Sequence, residues 1–409
     1  MGEIIGGFLD LDSFISQHVI RREQSMFLDD IKAGWNSIQT SISNADILVI
    51  GGAGSIGSSF IKAILPFGPS ELVIADINEN ALTELTRDLR SEKGTQVPDS
   101  YRTYPVDYAS AAFEKMFRAH GGFRIVANFA AHKHVRTEKD IYAMEAMLYN
   151  NVIHARTLLE LLCEFPPESY FCVSTDKAVN PVSIMGASKR LMEDLIFSYS
   201  DRFAVKTARF ANVAFSNGSL PAGFLERIRR QQPVSAPSDI RRYFVSPEES
   251  GQICMLACTL GNNREIFFPK LEKAQMMTFD GIAKELLTAC GYEPLPCQSD
   301  EEAVAAALEL RRGARAWPVH FSKSDTSGEK PYEEFYTKTE HVERGRFQAL
   351  GVITEKERPD RKKLDQLILQ LQEAFEKRDT DKDMIVRILQ SYLPHFAHKE
   401  TGKSLDDKM

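Results

Sequence analysis

Asp46-Ile47-Leu48-Val49-Ile50-Gly51-Gly52-Ala53-Gly54-Ser55-Ile56-Gly57 is the stretch on which the fold turns. Ala45 to Ile50 is a short, mostly apolar run, suited to a parallel strand buried on both faces. A helical pattern follows from Ser58 to Leu65. Glycines at 51, 54 and 57 allow a tight turn and let the backbone approach a pyrophosphate, which the N–H groups and partial positive charge of the helix N-terminus receive. A glycine pattern alone is weak evidence. Here a second strand-like run, Glu71-Leu72-Val73-Ile74-Ala75, ends at Asp76. That is about 20 residues past the glycines, where the dinucleotide fingerprint places its ribose carboxylate. The reading is a dinucleotide-binding unit, with Gly51, Gly54, Ser55, Ile56 and Gly57 at the phosphates and Asp76 at the adenosine ribose.

Asp76 also bears on which dinucleotide. A carboxylate there accepts hydrogen bonds from both ribose hydroxyls and repels a 2′-phosphate. Ile77-Asn78-Glu79-Asn80 offers no arginine to neutralise such a phosphate. NAD is therefore expected over NADP, with Arg87 and Arg90 on the next helix as the opposing consideration.

Further strands continue the pattern. Tyr104-Pro105-Val106-Asp107 reads as the end of a third, with Asp107 either meeting the adenine or capping the next helix. Arg124 to Phe129 reads as a fourth, opening into Ala130-Ala131-His132-Lys133-His134-Val135. Small residues at 130 and 131 let the backbone pass close to the cofactor, and Lys133 and His134 are either active-site rim residues or solvated loop. Asn150-Asn151-Val152 begins or interrupts a long helix. Tyr170 to Val173 delivers Ser174-Thr175-Asp176-Lys177 at a strand's carboxyl end, where open α/β sheets bind ligands. A helix beginning near Met185 places Met185 and Lys189 on one face. Two hydroxyls, a carboxylate and two ammonium groups therefore converge, which is chemistry rather than packing.

Beyond a sixth strand, Ala204 to Phe210, the alternation weakens. Of the two basic clusters that follow, Arg227 to Arg230 reads as a solvated helix face. Arg242, in Ile240-Arg241-Arg242-Tyr243-Phe244-Val245, has a strand-like context that suits a buried partner, and an arginine can grip a diphosphate bidentately. Helical sequence runs from Ser246 to Gly261, near Phe279 to Cys290, from Lys362 to Glu376 and from Asp383 to Leu393.

Bulk composition excludes several classes. The 409 residues allow one large domain or two, and 43% hydrophobic with 26% charged residues is ordinary for a soluble globular protein. A net charge of −7 argues against a nucleic-acid partner, which calls for a basic face. The six cysteines show no metal-ligand spacing, and Cys254 and Cys258 read as buried thiols, so no metal is expected. Without a disulfide framework or signal peptide, a reducing cytoplasm is expected. No apolar run approaches the roughly 20 residues of a membrane-spanning helix. The expected fold class is α/β, a Rossmann-type doubly wound parallel sheet with a smaller mixed substrate-binding domain and helical extensions. Its expected parts are a helical N-terminal extension (1–45) packed on the domain or a neighbouring subunit, an NAD-binding domain (46–210), a substrate-binding region (211–345) and a helical C-terminal extension (346–409).

Seven motifs occur together in this order: the glycine loop, Asn128-Phe129-Ala130-Ala131 with Lys133-His134-Val135, Ser174 to Ala178, Met185 to Arg190, Arg209 to Val213, Arg242-Tyr243-Phe244, and Gly328-Glu329-Lys330 with Glu333-Glu334. Over about 46 to 335 the chain resembles the polysaccharide-biosynthesis (CapD-like) branch of the extended short-chain dehydrogenases/reductases, whose best-known members are UDP-N-acetylglucosamine 4,6-dehydratases. The resemblance implies a nucleotide-sugar substrate, NAD kept through the cycle, a homo-oligomer, and a role in surface polysaccharide or glycan biosynthesis. It matches Asp176 to the acid at the departing C6 hydroxyl and Lys177 to the base at C5. That base works only with a lowered pKa, from desolvation or a neighbouring cation such as Lys189. It matches Lys189 to the nicotinamide ribose, Thr175 to the sugar near O4, and Asn212, Ser216 and Arg242 to the diphosphate. Met185 replaces the superfamily's tyrosine and cannot donate a proton, so the taker of the C4 hydroxyl proton is Asp176 or Lys177. An epimerase on the same fold, or a non-catalytic NAD-binding sensor, are the competing readings.

Overall fold

Strands β1 (Asp46–Ile50), β2 (Glu71–Asp76), β3 (Ser100–Pro105), β4 (Ile125–Asn128), β5 (Ser169–Thr175) and β6 (Val205–Phe210) run parallel in the spatial order 3-2-1-4-5-6. In the computed structural model, residues 9–325 and 327–400 are described, apart from the side chains of Arg136, Thr137 and Arg311. The outermost parts of both expected extensions, 1–8 and 401–409, lie outside the described residues. Because β1 pairs with β2 on one side and β4 on the other, the strand order reverses there and opens a crevice at the carboxyl ends.

The chain does not fall into successive blocks. Glu265–Pro269 adds to the sheet parallel to β6, and Leu350–Thr354 and His341–Glu343 extend it antiparallel, giving nine strands. Residues 211–345 are thus shared between two cores. The smaller core surrounds three parallel strands, Val234–Pro237, Glu293–Pro296 and Ala316–Ser322. Helices Leu220–Arg229 and Phe279–Ala289 cover it through Phe224, Ile228, Ile282 and Leu286.

The terminal segments belong to these cores too. Phe14, Ile15 and Val19 enter the smaller one. In helix Leu28–Ile42, Ile31, Ile38 and Ile42 recur at helical spacing and join the main core. Arg22 pairs with buried Glu249 at 2.7 Å, and Asp30 accepts from the backbone N–H groups of Gln348 (2.6 Å) and Ala349 (2.9 Å). The N-terminal segment is a seam between lobes rather than an appendage. Helices Arg361–Phe375 and Lys382–Tyr392 bury Leu364, Ile368, Leu371, Ile385 and Leu389 in the main core in the same way.

Behind β5 and β6 lies a buried charge cluster. Arg209, fully buried on β6, binds both oxygens of Glu193 (2.8 and 2.7 Å) and both of Glu340 (2.9 Å each), and donates to Phe335 O at 3.0 Å. Its planar fork suits two bidentate partners. Burial alone pushes the Glu340 pKa up from 4.5, but the charge and hydrogen bonds of Arg209 overcome this and hold it at about 2.

Replacing Arg209 with methionine takes the bidentate cation from two buried carboxylates and leaves them only the more distant Arg190 (3.7 Å from each) and, for Glu340, Lys356 (3.6 Å), a defect of up to about 3–5 kcal/mol. Urea unfolding should show a correspondingly lower midpoint at unchanged slope. Since Glu340 has a depressed folded pKa, its contribution is full above 4.5 and is lost as pH falls toward about 2. Glu340→Gln should flatten that acid limb of the stability–pH curve.

Candidate active site

The glycine loop is shaped first by its own packing. Gly51 has φ +71°, and a Cβ there would stand 2.6 Å from Ala130 N; at Gly57 one would stand 2.4 Å from Gly51 O. These are backbone neighbours, so a side chain cannot be accommodated by a rotamer change. Ala53 N–H donates to Asp76 Oδ2 (3.0 Å) and Asn78 N–H to Oδ1 (2.9 Å). Each carboxylate oxygen retains a second lone pair for a ribose hydroxyl.

A cavity of about 760 Å³ opens here, lined by Gly51, Gly54, Asp76, Asp107, Ala130 and Ala131 among others. Six of the expected cofactor residues thus line one hollow at the β1/β4 switch point. Asp107 is not the helix cap: Ser110 accepts from Phe113 N–H in that role. Ser55 and Ile56 begin helix Ser55–Ile64 beside the cavity, and Ser55 Oγ accepts from Asn217 N–H at 2.8 Å. Ser216 lies next to this contact in a turn closed by its own N–H to Val213 O, and Asn212 pairs through its backbone with Phe244.

The loop after β4 is held by residues the sequence reading did not assign. Asn151 sits in a π-turn, Tyr149–Ile153, that interrupts the helical run from Ile141 to Glu164. Its Oδ1 accepts from His132 N–H (2.8 Å), and its Nδ2 donates to His132 O (2.9 Å) and Ser188 Oγ (3.0 Å). The Asn150-Asn151 pair in an otherwise apolar helix was the available signal, since π-turns gather at functional sites. Lys133 and His134 stand exposed on this loop, and a Cβ on Gly218 would lie 3.0 Å from His134 Nε2 across the cleft.

At the end of β5 the chain makes a tight turn, Asp176–Ala178. Thr175 Oγ1 donates to Asp176 Oδ1 at 2.9 Å, and Lys177 Nζ donates to the same oxygen at 3.2 Å. Asp176 is 2% exposed. Ser183 then caps helix Ile184–Ser198 through Gly186 N–H. Met185 is buried in the main core, its N–H donating to Glu138 Oε1 at 2.8 Å.

One expected placement is corrected. Lys189 does not converge with Lys177: its ammonium is buried, donating to Val173 O (2.7 Å) and lying 3.4 Å from Met192 Sδ. Burial lowers its pKa, against the opposing pull of Cys172 and Glu193. The charged partners of Lys177 are instead the carboxylates of Asp176 and, at 4.0 Å, Glu333. Arg242 finds the buried setting expected, and its Nη1 donates to the carbonyls of Arg241 (2.9 Å), Lys330 (3.0 Å) and Pro331 (3.3 Å). Through Nη1 it fastens the 328–335 segment to the site, while Nη2 lies 3.9 Å from the carboxylates of Glu329 and Glu333. Glu333 and Arg209 carry no role in the sequence reading, although both lie inside the motifs quoted above.

A parallel sheet with a glycine loop at its switch point defines an enzyme fold of the dinucleotide-binding α/β class. Within that class the chain belongs to the polysaccharide biosynthesis protein family, whose model matches residues 47–354, and so to the polysaccharide-biosynthesis branch of the extended short-chain dehydrogenases/reductases. An uncharacterized membrane protein of Methanocaldococcus jannaschii, MJ1061, is 34% identical over 61% of this chain and 73% of its own length. The capsular polysaccharide biosynthesis protein CapD of Staphylococcus aureus is 25% identical over 82% of this chain, which matches only 54% of CapD. Among solved structures, Pen from Bacillus thuringiensis shares the fold with a TM-score of 0.63 at 18% identity, covering 81% of this chain and 98% of Pen.

Gly57→Ala should lower dinucleotide affinity by at least about tenfold, because the loop must move off a backbone carbonyl that cannot yield. Titration calorimetry with NAD, alongside circular dichroism to confirm the fold, measures this.

Proposed function

We propose that this chain is an NAD-dependent nucleotide-sugar 4,6-dehydratase, acting on UDP-N-acetylglucosamine and serving surface polysaccharide or glycan biosynthesis. The observation that carries this reading is the contact group Thr175–Asp176–Lys177 at the end of β5, two strands over from the glycine-lined cavity beside β1. An acid and an amine in contact at a strand's carboxyl end are what elimination of water needs; a scaffold or sensor has no use for them. The family match and the likeness to CapD agree with it.

The residues present fit the cofactor: a cradle in which a Cβ at 51 or 57 would clash, the open N-terminus of helix Ser55–Ile64, and Asp76 in the cavity wall. Asp76 disfavours a 2′-phosphate, so NAD is the form proposed. Held by these residues, NAD would supply a hydride acceptor for sugar C4 and a hydride donor for C6, with no net NADH. The C4 ketone acidifies the C5 proton, which Lys177 removes as Asp176 protonates the departing C6 hydroxyl to water. Thr175, hydrogen-bonded to Asp176, would also orient the sugar near O4. With methionine at 185, Asp176 takes the C4 hydroxyl proton, directly or through one water, and so holds the proton it later gives the C6 hydroxyl, while Lys177 stays an unprotonated amine for C5. The proton on Lys177 returns to C5 as hydride reaches C6, which restores both groups.

The test is incubation with UDP-N-acetylglucosamine in deuterated water, with products read by NMR. A 4-keto-6-deoxy sugar, deuterated at C5 and formed without net NADH, is expected. Recovery of unchanged or merely epimerised sugar would overturn the proposal. Lys177→Ala should cut product formation by roughly 10²–10⁴-fold while leaving NAD affinity near that of the parent.

A further inference from the structure

Glu333 is a carboxyl group that the steps above leave without a task. It is 5% exposed, and it comes from a segment far along the chain from β5. Its Oε1 lies 4.0 Å from Lys177 Nζ and 3.9 Å from Arg242 Nη2, and its Oε2 lies 3.3 Å from Lys330 Nζ. Among the described residues Oε2 has no hydrogen-bond partner. Burial raises the pKa of Glu333 and the nearby Asp176 adds to this, while Lys177 once protonated, Lys330 and Arg242 oppose it.

Burying a carboxyl whose partners are ion pairs at 3.3–4.0 Å and no close hydrogen bond costs stability, yet the surrounding chain is fastened around it. Lys330 Nζ donates to Val179 O (2.7 Å), just past the Asp176–Ala178 turn. Arg242 holds the carbonyls of Lys330 and Pro331, Arg241 N–H donates to Pro331 O (3.1 Å), and Arg209 holds Phe335 O (3.0 Å). The backbone on either side of Glu333 is thereby held against the turn.

We infer that Glu333 is a positioning residue for the elimination step, acting through Lys177. The inference rests on the dehydratase reading. When Lys177 takes the C5 proton its amine becomes an ammonium, and Glu333 and Asp176 are the two carboxyl groups against which that charge develops. Asp176 gives up its proton to the leaving hydroxyl in the same step and becomes anionic. Glu333 forms and breaks no bond; it aims Nζ and stabilises charge that exists only after proton removal. Hydride removal from C4 precedes this and does not need it.

The parent, Glu333→Gln and Glu333→Asp are compared in single-turnover reactions with UDP-N-acetylglucosamine, following NADH absorbance and 4-keto-6-deoxy product separately. In Glu333→Gln, product formation should slow about tenfold to hundredfold with KM little changed, and NADH should accumulate transiently because oxidation outruns elimination. Glu333→Asp, which keeps the charge but withdraws it, should fall between the two. It also carries the comparison if Glu333→Gln does not fold. A Glu333→Gln progress curve matching the parent's, or equal slowing of NADH and product formation, would overturn the inference. A parent that forms no 4-keto-6-deoxy sugar removes the dehydratase reading itself; a parent that does, with variants indistinguishable from it, removes this inference alone.

Discussion

One buried guanidinium holds the working parts of this protein together. Arg209 ties β6 to helix Ile184–Ser198 through Glu193 and to the 335–340 segment through Glu340 and Phe335 O. Glu193 in turn accepts from Ser174 Oγ at 2.6 Å, at the end of the strand that delivers Asp176 and Lys177. Burying three charges is not a cheap way to stabilise a fold, since well-packed apolar groups of similar volume often do as well. What the arrangement supplies is direction. Each guanidinium N–H has one angle at which it meets its carboxylate, so the strand, helix and returning segment are held in one relative placement.

The cofactor end is organised differently, by backbone proximity instead of charge. Gly51 lies against Ala130, Gly57 against Gly51, and Asp76 receives the Ala53 and Asn78 N–H groups. Asn151 plays the matching part for the next loop by binding both backbone groups of His132. Gly251 performs a similar service at the back of the glycine helix, where a Cβ would come within 2.1 Å of Ser59 O. Pro247–Leu260 therefore packs closely on Ser55–Ile64, and a helix from beyond residue 210 becomes part of the dinucleotide-binding layer.

Much of this is legible in the sequence. The six strands, the glycine loop, Asp76 and the Thr175–Asp176–Lys177 turn each announce themselves within a dozen residues, through strand-length apolar runs, glycine spacing and polar groups at strand ends. The limits of the two cores were not legible. Glu265–Pro269 and Leu350–Thr354 look like any short apolar strands, and nothing local says that they join the first sheet. Helix periodicity puts Met185 and Lys189 on one side of a helix, but not in which direction Lys189 extends. Packing against β5 turned its ammonium to the Val173 carbonyl.

The sequence by itself determined the class of fold, the crevice that a dinucleotide would occupy, and the acid–amine pair beside it. Those features rest on constraints acting over a few residues: permitted backbone angles, the clash of any Cβ at a crowded glycine, and the free N–H groups of a helix start. Only the tertiary structure decided that Lys177 faces Glu333, that Arg242 Nη1 fastens the 328–335 segment, and that helices Leu28–Ile42 and Arg361–Phe375 are woven into the main core. A long charged side chain has several rotamers of similar energy, and the partner that selects one arrives from distant sequence. Position along the chain carries no record of that meeting.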